Sequence, residues 1–176
     1  MNYSDVLNTL TAIGTIGAVA VGMIAIEHAN KNNKQQIIIH KLEELYETVQ
    51  LITLQYGRFM SLYHKIQDMR TGNSTIKTLA DYYTVRDQEL PATERHQIVA
   101  YFSRLEVLKA CYTRDSLFKE LEAFEKVMFP FADLVFNGGS ILQELHWPMG
   151  FPKYEEFYKQ TEDLKKSILK EINIAR

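Results

Sequence analysis

A chain of 176 residues, 24% charged and 46% hydrophobic, has the composition of one globular domain with at most an appendage, which excludes a disordered chain and two full-sized domains. The net charge of −2 argues against a generally basic nucleic-acid-coating protein, and the lone Cys111 excludes an intrachain disulfide framework and any cysteine-based zinc cluster. Few breakers (Gly 8, Pro 4) and many rings (Tyr 10, Phe 9) favour long packed helices.

Between Asp5 and Glu27 lie 21 uncharged residues, Val6 to Ile26. As a helix they cover roughly 30 Å, the thickness of a bilayer's hydrocarbon core, and a chain this small has little core to surround such a helix on every side. A membrane-spanning helix is therefore expected. A cleaved signal would carry a cationic start, whereas the first Lys or Arg is Lys31. Asp5 alone precedes the tract and Lys31, Lys34 and Lys41 follow it, so the positive-inside rule places the N-terminus outside and residues 27–176 in the cytoplasm. Asn73-Ser74-Thr75, a formal glycosylation acceptor, then stays unmodified.

Within the tract Gly14, Ala18 and Gly22 recur every fourth residue, a small-residue ridge that lets helix backbones approach closely in lipid. Asn8, Thr11 and Thr15 fall within roughly 60° of one another on a helix, and their stripe continues as Val19, Gly22 and Ile26. Polar groups beside a close-packing ridge suit an oligomer whose helices line an aqueous path, with Val19, Met23 or Ile26 narrowing it. An anchor with its polar residues at the interface is the competing expectation.

Residues 27–36 are polar, either a hinge or a helical continuation. The domain boundary is set here: 1–30 as span and juxtamembrane segment, 31–176 as a cytoplasmic bundle. Ile38, Leu42, Leu45, Val49, Ile52, Tyr56, Phe59, Tyr63 and Ile66 alternate spacings of four and three, a heptad seam over about four repeats. Ile39, Tyr46 and Met60 widen it, as expected of a helix facing several others, and in a pore-like assembly the same helix is expected to hold the ring together. Gly72-Asn73 should end it, followed by a short helix near Ile76–Tyr83. Pro91 opens a helix with Ile98, Phe102, Leu105, Leu108 and Tyr112 on its apolar face. After a turn at Thr113–Ser116 the next helix turns Leu117, Leu121, Phe124, Met128 and Phe131 inward; Pro130 should kink or split it and Asn137-Gly138-Gly139 stop it. His146–Pro152 reads as a loop, and a last helix spans Lys153–Asn173. The fold class is all-α: a single N-terminal transmembrane helix followed by a cytoplasmic helical bundle.

Chemistry is sparse. His28, His40, His64, His96 and His146 lack partners at ligand spacing, and no glycine-rich phosphate loop or nucleophile elbow occurs, so no metal or cofactor is expected. Arg58 to His64 matches the Arg-x(4–6)-His signature of HEPN-type RNases, in which the arginine steadies the scissile phosphate and the histidine assists proton transfer. Phe59 stands where that motif has a polar residue, and a spacing of six sets the two side chains about 120° apart on one helix.

The N-terminal span with its Gly14–Ala18–Gly22 ridge, the helical body and the divergent Arg58…His64 motif together resemble the small membrane accessory proteins of type VI-B CRISPR loci. The resemblance implies a divergent HEPN-like body and a bacterial inner-membrane, single-pass homo-oligomeric ring. It also implies a pore that perturbs the membrane and strengthens antiviral interference by a partner RNA-guided RNase, with RNA as a further potential ligand. Two alternatives stand beside it: a membrane-bound ribonuclease using Arg58 and His64, and a passive tether for a soluble partner.

Overall fold

The computed structural model describes residues 3–72, 75–138 and 151–175; side chains are described for Ala25, Glu27 and from Ala29 onward. Among the described residues there are helices and no strands. We number the helices α1 (Tyr3–Thr53), α2 (Tyr56–Thr71), α3 (Leu79–Glu89), α4 (Ala92–Tyr112), α5 (Asp115–Asn137) and α6 (Tyr154–Ala175).

The polar stretch 27–36 is a continuation and not a hinge: α1 passes through it, and through the boundary set at residue 30, as one 51-residue helix. Among the described residues no helix is long and apolar enough to cross a membrane. The side chains of Asn8, Thr11, Gly14, Thr15, Ala18, Val19, Gly22, Met23 and Ile26 lie outside the described ones, so ridge, polar stripe and span remain readings of the sequence. Most of the expected loop His146–Pro152 also lies outside; Phe151 and Pro152 are non-helical.

From Lys41 on, α1 is the spine of a bundle. It packs on α4 and α6, and α5 closes the square by touching both of those. Contacts between the helices set their directions. Arg104 of α4 pairs with Glu44 of α1, and Glu94 with Arg58 of α2, so α4 runs antiparallel to them. Phe102 meets Phe129 at 4.6 Å, so α5 reverses again. Tyr56 stacks on Phe157 at 3.8 Å, placing the start of α6 beside the end of α1.

From Leu42 to Phe59 the heptad seam is buried, and its partners belong to this chain: Leu42, Leu45, Val49, Ile52, Tyr56 and Phe59 are all core residues, whereas Ile38, which opens the seam, is exposed. This corrects the expectation that the seam holds a ring together, because side chains already removed from water have nothing left to offer a second copy. Two further corrections concern its geometry. The seam is not one helix but breaks at Leu54–Gln55, where the Gln55 amide bonds to Ile52 O at 3.0 Å and its side-chain Nε2 takes Leu51 O at 3.4 Å. One turn is thus tightened, while Gln55 stays in the right-handed region. Beyond the break the fully buried line runs Tyr56, Phe59, Leu62, Ile66, and Tyr63 is only half-buried.

Pro130 does not split α5, which continues to Asn137. The lost donor frees one carbonyl, but Met128, Phe131, Ala132, Leu134 and Val135 are buried around it and hold the helix together. α3 starts three residues later than expected because Thr78 and Asp81 form a reciprocal capping box, Asp81 N–H donating to Thr78 Oγ1 at 3.1 Å and Thr78 N–H to Asp81 Oδ2 at 3.0 Å. The inward faces read for α4 and α5 are buried, with Tyr112 half-buried at the edge.

Candidate functional site

Phe59 explains where the Arg58…His64 pair ends up. As a fully buried seam residue it points α2 inward, its ring against Phe131 and Phe136, so Arg58 and His64 are both turned to solvent. Arg58 reaches across to α4 and pairs with Glu94 in its first turn, its side chain remaining 47% exposed. One and two turns further along α2, Ser61 Oγ donates to Glu89 of α3 at 3.3 Å and Lys65 pairs with the same carboxylate. Arg95 bridges Asp87 and the Leu90 carbonyl, and Arg86 bonds to Asp87 at 2.8 Å while lying 4.3 Å above the Tyr83 ring. The Arg86 guanidinium, with Arg95 behind it, holds the Asp87 carboxyl below the usual range. This is a charged seam that ties α2, α3 and α4 together at one end of the bundle.

His64 is exposed on a neighbouring strip of α2, with the Tyr63 ring 6.0 Å from its own. Both residues lie on one regular helix at a spacing of six, so a single chain does not converge them on one phosphate. Arg58 is moreover neutralised by Glu94, and a phosphate must displace that carboxylate to be bound. Sequence reasoning missed Glu94, since nothing in a linear pattern signals that a residue 36 positions away supplies the counter-charge.

Two other features lie elsewhere. Lys109 of α4 pairs with Glu125 of α5 in a largely buried contact, and burial, more than the opposing effect of Lys109, raises the Glu125 carboxyl. Between α5 and α6 runs an open groove of about 600 Å³ floored by Phe124, Val127, Phe157 and Leu164, with Glu120 and Asp163 on its rim. Among the described residues no group of His, Cys, Asp and Glu is arranged to hold a metal ion.

No protein-family model, curated protein or solved structure matches this chain.

Proposed function

We propose that this chain is a membrane-embedded, pore-forming accessory of a type VI-B CRISPR antiviral system that strengthens RNA-guided RNase interference by perturbing the inner membrane. The observation that carries this reading is the length of α1: the uncharged tract and the bundle's central helix are one unbroken element, Tyr3–Thr53. Movement of the bundle would pass along such a rod to the tract with no hinge to absorb it. The ridge Gly14–Ala18–Gly22 supports close packing of the tracts, and Asn8, Thr11 and Thr15 support a wetted outer half. With the heptad seam spent inside each subunit, assembly falls to the ridge and to exposed faces of the bundle.

The test is dye and ion flux from vesicles carrying the full-length protein, with Gly14→Leu, Ala18→Leu and Gly22→Leu as variants. Leakage that the variants abolish, together with a fall in oligomer mass, is the expected result. Tight vesicles under activating conditions, or full defence from a chain with an unrelated membrane helix, would leave a passive tether.

A ribonuclease reading draws on one observation, that Arg58 and His64 both face solvent. It requires two copies to bring an arginine and a histidine onto one phosphate. Replacing both by Ala should then abolish RNA cleavage at unchanged oligomer size; retained defence in that variant argues against it.

A further inference from the structure

α5 stops at a glycine, yet the carbonyls of its last turn are taken up by another helix. Val135, Phe136 and Asn137 belong to the turn whose oxygens lack amide partners within their own helix. Three side chains of α3 donate to them. Tyr82 Oη donates to Val135 O at 2.6 Å, Arg86 Nη1 donates to Phe136 O, and Tyr83 Oη donates to Asn137 O at 3.2 Å. Positions 82, 83 and 86 fall within about 100° on a helix, so one strip of α3 serves three consecutive acceptors. Arg86 also sets a positive charge against the negative end of α5. The contact reaches the stop itself. A Cβ at Gly138 would lie 3.1 Å from the Tyr82 ring, so the bare backbone there lets α3 come this close.

Apart from that strip, α3 is held lightly. Tyr82 is its only buried residue, and Leu79 at its start is 44% exposed. Its far end is anchored by other means. Leu90 behind it is fully buried, Lys65 of α2 pairs with Glu89, and Arg95 of α4 pairs with Asp87. α3 is thus fixed at one end and clipped along its middle.

We propose that α3 is a releasable clip, and that α3 and the last turn of α5 open and close as one unit while the rest of the bundle stays folded. The physical reason is reciprocity. Without α3, three carbonyls lose their donors and the last turn of α5 frays into water. Without that turn, α3 has no row of acceptors, and the buried Tyr82 hydroxyl has lost its partner. Neither helix end keeps its structure alone. Opening pivots at Leu90, where the backbone leaves the helix at φ −140 and ψ 81, and it uncovers the Tyr82 ring together with the carbonyl end of α5. The clip is independent of whether α1 spans a membrane.

Hydrogen exchange of the full-length detergent-solubilised protein, resolved to single amides, tests this with two variants. Thr78→Ala removes the cap of α3, whose hydrogen bonds stay within α3. Exchange in α3 should rise about fivefold, the ordinary loss from removing an N-cap. The amides of Val135, Phe136 and Asn137 should rise by the same factor, with Ile98–Leu108 of α4 unchanged. Tyr82→Phe keeps the ring, removes one donor and should accelerate both segments together; Thr78→Ala carries the test should that variant fail to fold. Acceleration confined to α3 overturns the proposal, because the two helix ends then open separately. Acceleration that extends equally through α4 overturns it too, being global unfolding, and so does unchanged exchange in both segments.

Discussion

Two glycines show how the same residue type takes opposite roles. Gly138 sits at φ +74 behind α5, and a Cβ there would lie 2.3 Å from Leu79 Cδ1. Gly138→Ala is expected to destabilise the bundle by about 1–3 kcal/mol, through both the left-handed backbone and the collision. Gly57 lies inside α2 and a Cβ there meets nothing within 4 Å. Gly57→Ala should therefore stabilise by about 1 kcal/mol, and urea unfolding of the detergent-solubilised protein measures both. Glu125 offers a pH prediction. Burial raises its carboxyl most, Lys109 opposes, and Glu106 and Glu122 add to the rise. The folded chain thus keeps this proton where the unfolded chain has released it, so its contribution to stability falls as pH climbs from the ordinary carboxylate value through the raised one. Glu125→Gln has no proton to lose; its stability relative to the parent should improve across that window, and a flat difference would refute the burial argument.

At the scale of elements, α5 carries a proline that its surroundings override. Burial on both sides keeps the helix whole, at the cost of one main-chain hydrogen bond. Pro130→Ala restores the donor and should raise stability by about 1–3 kcal/mol. α3 depends on its cap more than on its apolar content, since Tyr82 is its only buried residue. Thr78→Ala should cost about 1 kcal/mol and loosen α3 first, visible as faster hydrogen exchange at Asp81–Thr84 than in α4. The tightened turn between α1 and α2 leaves the buried line continuous from Val49 to Phe59, and just beyond it the Tyr56 ring packs on those of Phe131 and Phe157.

For the whole molecule, the proposed assembly through the ridge and not through the buried seam makes the sharpest prediction. Leu45 is fully buried between helices of one chain, so Leu45→Ala should lower bundle stability by about 2–5 kcal/mol with oligomer mass unchanged until unfolding. Ridge variants should do the reverse, changing mass and leaving the bundle's unfolding midpoint in place. Light scattering and urea unfolding on the same samples distinguish these outcomes.

Helix class, the inward faces of α4 and α5 and the stop at Gly138 were legible in the sequence, because 3.6-residue periodicity and glycine's backbone freedom are local properties. The buried seam was legible too, but not what it faces: a stripe of Leu, Val and Ile looks alike to a helix of its own chain and to another copy. Only the antiparallel return of α4 and α6 decided that it is consumed inside one subunit. Arg58 and His64 were visible as letters, while the Glu94 counter-charge comes from a residue 36 positions away in the chain. Periodicity reports which side of a helix avoids water; the identity of the neighbour that shelters it is set by how the chain closes on itself.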